Sequence, residues 1–179
     1  VSFTLALKVD VDRFQRLLTT HLQEIRSAFA RGLDRAAEIV EGAAKINLTK
    51  HGSVAFGVLR ASIGHRTVID QLRVTIGPGL AARPGGEDPR SYGYYVEHGR
   101  GPGKAPPPGA LDLWVKRKLG VGDEEEVERL AFLIARKIAR SGTTPAPFLV
   151  PALRDNEARI HARIDREIDR EIERINSQR

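Results

Sequence analysis

The chain has 179 residues, 41% of them hydrophobic and 29% charged, with a formal net charge of +6 and neither cysteine nor methionine. That length fits one domain, or one domain with an extension. Without cysteine there is no disulfide framework and no thiolate metal site, and the apolar runs fall far short of the roughly 20 residues a membrane helix needs.

The opening VSFTLALKVDVDRF lacks the basic start of a secretory leader and reaches Asp10 and Asp12 early, so a soluble protein is expected. The positive charge is unevenly placed. Residues 1–49 carry a net +1, residues 50–119 a net +6 and residues 120–179 a net −1. A basic middle third suits nucleic acid, an acidic protein surface, or a dilute basic face with no partner.

In chain order, Ser2–Val9 alternates Phe3, Leu5, Leu7 and Val9 and reads as a strand. Asp10 or Asp12 then serves as a helix cap. Val11, Phe14, Leu18, Leu22, Ile25, Phe29, Leu33, Ala36, Val40 and Ala43 recur at spacings of three and four. They form the stripe of one amphipathic helix of about 35 residues, roughly 50 Å long, slightly weakened by Gly32 and Gly42. Asn47–Gly57 is expected to end it in a polar loop. Leu59–Ile69 and Gln71–Gly77 read as a β-hairpin turning near Asp70, and residues 78–91 as a flexible loop.

Tyr92–Val96 is compatible with a half-buried strand. Gly109–Gly120 predicts a short helix with Leu111, Trp114, Val115 and Leu119 inward. Asp123 is the expected cap of a second helix that opens on three glutamates and buries Val127, Leu130, Ala131, Ile134 and Ile138. The last segment, about Phe148–Asn176, carries Ile160, Ile164, Ile168, Ile172 and Ile175 among nearly continuous charge. Arg163 with Glu167, Arg166 with Asp169, and Glu171 with Arg174 are spaced for helical ion pairs. So narrow a seam suits a helix packed on a neighbouring subunit, or an edge helix covering its own sheet. The expected architecture is α+β. A small antiparallel sheet (N-terminal strand plus hairpin) packs against a long amphipathic helix, with further helices, a domain over 1–153 and a charged helical extension over 154–179.

Catalytic and cofactor motifs are not recognisable. HGRGPGKAPPPG has a Gly-Lys pair but places His98 where a phosphate loop needs its first glycine and Ala105 where it needs a hydroxyl, and Pro106–Pro108 lack amide hydrogens. The histidines at 21, 51, 65, 98 and 161 have no metal-ligand spacing, and no serine sits in a G-x-S-x-G setting. No enzyme, metal or cofactor is expected. Arg90, Tyr92, Tyr94, Tyr95, Arg100 and Lys104 do interleave cations with aromatics, as single-strand binders do.

Three motifs then fall in order. YGYYVEHGRG matches Tyr-Ala-x-Tyr-Val-Glu-x-Gly-Thr at Tyr92, Tyr95, Val96, Glu97 and Gly99, with Gly93 for the alanine and Arg100 for the threonine. PAPFLVPAL matches Pro-x-Pro-Phe-Leu-x-Pro-Ala-Leu at Pro145, Pro147, Phe148, Leu149, Pro151, Ala152 and Leu153. FGVLRASI retains Gly57, Leu59, Ser62 and Ile63 of Thr-Gly-x-Leu-x-x-Ser-Ile. Together they resemble the HK-ninety-seven gene-product-ten family of neck or tail-completion proteins of long-tailed bacteriophages, over roughly residues 11–155.

The resemblance implies a virion structural protein, assembled in the host cytoplasm into a ring at the head–tail junction or upper tail, with six copies expected. Its partners would be further copies, connector or adaptor proteins, and tail-terminator or tail-tube proteins, with DNA passing non-specifically through the lumen and no membrane involved. Tyr92, Tyr95, Glu97, Arg100, Lys104, Pro106, Pro107, Ile164, Ile168 and Ile172 are the partner-contact candidates. Arg83, Arg90, Arg100 and Lys104 are the DNA-channel candidates. Glu97 is expected to accept amide hydrogens and hold the loop that follows, an arm stiffened by Pro106–Pro108. The competing expectation is a basic DNA-associated architectural protein.

Overall fold

Helix α1, Val11–Lys50, is the axis on which most of the molecule packs. The computed structural model describes residues 11–51, 57–81 and 89–177. The expected N-terminal strand and the Asp10 cap lie outside the described residues. The long helix is present but kinked, since His21 leaves helical geometry at φ −130°, ψ 41°. It also runs past the expected stop. Leu48 is fully buried, so Asn47–Lys50 continues the helix instead of opening a loop.

The buried stripe of α1 is Ile25, Ala28, Leu33, Ala36, Ala37, Val40, Ala44 and Leu48. Its small residues let other elements approach closely. Gly32 is the tightest point: a Cβ there would stand 3.0 Å from the Ile164 Cα. This glycine costs helix propensity but admits a neighbouring backbone.

Two layers cover α1. The first begins with α2, Val58–Ser62, followed by β1, Gly64–Val68, and β2, Arg73–Gly77, joined by a 3₁₀ turn at Ile69–Gln71. The expected first strand is thus part helix, and Leu72, at φ 45°, carries the left-handed bend out of the turn. The strands are antiparallel, with His65 opposite Ile76 and Thr67 opposite Val74. Paired residues share a face. That face places Val74 and Ile76 in the core and sets His65 and Thr67 against α1 carboxylates.

The second layer is the C-terminal segment. It is two helices, α6, Leu149–Arg154, and α7, Glu157–Ser177, separated by a turn at Asp155–Asn156. Helix α7 runs antiparallel to α1: Ile164 meets Gly32, while Glu171 and Arg174 line one hollow with Gln23, Glu24 and Ser27 nearer the start of α1. Ile160, Ile164 and Ile175 are buried, and Ile168 packs against the same cluster. The isoleucine seam therefore closes this chain's own core, with Ile160 and Ile164 in the same cluster as Leu33, Val40 and Val74. Of the expected ion pairs, Arg163–Glu167 (3.3 Å) and Glu171–Arg174 form.

A smaller core lies between α4, Asp112–Leu119, and α5, Glu124–Ser141, which pack chiefly on each other. Val115, Val127 and Ala131 are buried there, with Leu111, Trp114, Leu130 and Ile134 around them. Leu119 was expected inward but stays 49% exposed, because α4 ends there at Gly120. Asp123 caps α5 as expected, accepting the Glu126 amide hydrogen at 2.9 Å. No described helix is long and apolar enough to cross a membrane.

Candidate functional site

The quoted motif Tyr92–Glu97 lies on α3, Pro89–His98, and is not a strand. Proline is well tolerated where a helix begins. Gly93 faces the hairpin side, where a Cβ would stand 2.9 Å from Pro78 and 3.3 Å from Leu59. Val96 packs on the main core, while Tyr94 and Tyr95 stay 53% and 49% exposed.

Glu97 ends this helix turned inward, 3% exposed. Its Oε2 accepts the amide hydrogens of Phe148 (2.8 Å) and Leu149 (2.9 Å), and its Oε1 that of Val150 (3.0 Å). These are first-turn amides of α6, which lack intrahelical acceptors and lie at the positive end of the helix. The expectation that Glu97 collects amide hydrogens holds, but they come from the C-terminal motif and not from the loop that follows. Buried and fully engaged, Glu97 is not a partner-contact residue.

The rest of the C-terminal motif follows from this clasp. Phe148 and Leu149 are buried, and Pro151 sits in the first turn of α6, where no amide donor is needed. The Ala146 amide donates to the Val96 carbonyl (2.8 Å), and Asn47 Nδ2 to the Phe148 carbonyl (3.2 Å).

Just beyond, the chain from Arg100 runs beside the end of α5. Arg100 and Thr143 exchange both backbone hydrogen bonds (3.2 and 2.8 Å), and the Gly103 amide donates to the Ala139 carbonyl (2.9 Å). Two glycines permit the approach. Gly99 has φ +74°, and a Cβ would stand 2.6 Å from the Thr143 oxygen; Gly142 has φ +72°, and a Cβ would stand 1.7 Å from the Arg100 oxygen. The proline-rich loop is thus held at its base and displayed beyond it, with Lys104 and Pro107 exposed and Pro106 half-buried.

An aromatic and cationic patch adjoins that base. Tyr94 and Tyr95 stack edge to face with ring centres 5.8 Å apart, His98 lies against Tyr94 at 4.7 Å, and the Arg100 guanidinium sits 5.9 Å above the Tyr95 ring. The Arg100 guanidinium also donates to the Lys104 carbonyl.

The candidate residues do not form one surface. Tyr95, Arg100, Lys104, Pro106 and Pro107 come together. Ile164 is fully buried under α1, and Ile168 and Ile172 are half-buried on α7. Ile164 is therefore a core residue, since the close approach at Gly32 leaves it no outer side. Tyr92 is placed only by its backbone, on α3, and Arg83 lies outside the described residues. Arg90 packs on Gly79, where a Cβ would meet its side chain at 2.9 Å.

Two polar clusters join distant elements, and of their contacts only the Glu171–Arg174 pair was expected from the sequence. Between hairpin and α1, His65 Nδ1 is hydrogen-bonded to Glu41 (2.8 Å) and its Nε2 lies 3.3 Å from Asp34, which also accepts from Thr67 (2.8 Å). Burial pushes the Glu41 carboxyl up, but hydrogen bonds from Lys45 and His65 outweigh it and hold the group below its ordinary value. Between α7 and α1, Glu171 accepts from Arg174 and from Arg31 (2.9 Å), and the Arg174 hydrogen bond is the main reason its carboxyl is held low. Both clusters tie elements to α1, and neither presents a nucleophile. Among the described residues, no group of three or more His, Asp or Glu side chains is arranged to hold a metal ion.

The class the fold defines is α+β: a long helix that shares one core with a two-stranded sheet and the C-terminal helices. Comparison with protein-family models, curated proteins and solved structures finds no match.

Proposed function

We propose that the chain is a structural subunit of a long-tailed bacteriophage, set as one of six copies in a ring at the head–tail junction or upper tail. It joins connector to tail proteins around the DNA channel and transforms no substrate. The observation that carries this reading is the Glu97 clasp. The two motifs behind the resemblance lie about 50 residues apart, yet one supplies the carboxylate and the other the three amides it holds. A shared physical task explains why both motifs occur together. Just beyond the clasp, the Arg100–Thr143 pair anchors the base of the proline-rich loop, leaving Lys104 and Pro107 outward for a neighbouring protein. A loop stiffened by proline loses little entropy on docking.

The test is mass spectrometry and electron microscopy of particles assembled from the genome that encodes this chain. The expected result is a ring of this protein between portal and tail tube; particles complete without it overturn the reading. The exposed Tyr94–Tyr95 pair beside Arg100 favours a second reading, a basic DNA-associated architectural protein. Tight duplex binding with a steep salt dependence would select that one.

A further inference from the structure

Helix α5 carries its apolar core stripe on one side and an unusual pattern on the other. Phe132 is 65% exposed, more than any other large apolar side chain among the described residues, and Leu133 beside it is 48% exposed. Both fall outside the stripe of Val127, Leu130, Ala131, Ile134 and Ile138. At 100° per residue, Glu125, Arg129, Phe132, Arg136 and Arg140 form a continuous row opposite Val127 and Ala131. Charge along the helix is split. Glu124, Glu125, Glu126 and Glu128 occupy its first turns, and Arg136, Lys137 and Arg140 its last.

We propose that this outer face of α5 pairs with the same face of a second copy of the chain, the two helices antiparallel about a two-fold axis. A parallel arrangement sets glutamates against glutamates and aligns the helix dipoles. The antiparallel one sets each acidic end against a basic end and opposes the dipoles. With Phe132 opposite Arg129 of the second copy, Glu125 faces Arg136 of that copy. Two-fold symmetry makes every contact occur twice. Each half thus gains a guanidinium over an aromatic ring and an ion pair at its edge. The exposed apolar pair and the charge split are two separate observations, and self-pairing accounts for both. An isologous pair does not close a ring by itself, so this contact is distinct from the ring interface and stands or falls independently of the virion reading.

Sedimentation equilibrium of the full chain tests it. Wild type is expected to show a two-chain mass that 1 M salt weakens, because the edge ion pairs are screened. Phe132→Ser, with unchanged helical circular dichroism, is expected to weaken the pair at least about tenfold. Glu125→Arg and Arg136→Glu each weaken it, and the double exchange is expected to restore wild-type affinity to within about threefold. A single-chain mass up to about 1 mM overturns the proposal. So does a dimer or larger ring indifferent to Phe132→Ser, or a double exchange no better than its parts.

Discussion

The Glu97 carboxylate stands where α6 begins, and three amide hydrogens depend on it. Glu97→Gln keeps one carbonyl oxygen but turns an amino group toward those donors. The expected destabilisation is about 2–4 kcal/mol, read by denaturant unfolding, with the loss centred on α6. Gly142→Ala is expected to cost at least about 2 kcal/mol, because its positive φ and the nearby Arg100 oxygen both exclude a Cβ. The carboxylates of Glu41 and Glu171 contribute to the acid limb of stability. Both are held below their ordinary value of 4.5 in the folded chain, so the unfolded chain binds protons first as pH falls. Their contribution is complete above the ordinary glutamate range and is lost as pH falls through the lowered folded values. A pH series of chemical unfolding is expected to show Glu171→Gln with a shallower acid limb than wild type. At this scale the acceptor role of Glu97 was legible only through the motif that the resemblance singled out. Its donors were not, since they lie more than fifty residues away.

At the scale of elements, α1, α4 and α5 were readable from apolar spacing and the Asp123 cap. Helix α3 was not. Tyr94, Tyr95 and Val96 favour strands when their neighbours are ignored. The choice falls to packing, where Gly93 admits Pro78 and Leu59 and Glu97 turns to α6. The Gly32 crossing shows the same lesson for pairs of helices. Read locally, the glycine weakens α1; in the fold it lets α7 approach to contact. Gly32→Val is expected to destabilise by about 2–3 kcal/mol despite removing a helix-weakening glycine, measured by thermal or denaturant unfolding. Asp123→Ala removes only a cap and is expected to cost about 1 kcal/mol.

At the scale of the molecule, the described residues form two cores of unequal size. Leu33, Val40, Val74, Phe148 and Ile160 belong to the larger, while the α4–α5 pair is built on Val115, Val127 and Ala131. Residues 112–141 are therefore expected to exchange amide hydrogens through lower-energy openings than 25–48 and 160–175, as hydrogen-exchange mass spectrometry would read. The sequence by itself determined where α1, α4, α5 and the C-terminal helical segment form and which stripe of each is apolar, because both follow from spacing over a few residues along the chain. Only the tertiary structure decided what covers each stripe: α7 closes over α1, and α3 hands a carboxylate to α6. Those choices rest on volumes and unpaired donors brought together from distant parts of the chain, where a missing Cβ at Gly32 or a free amide at Leu149 acquires meaning only beside its counterpart.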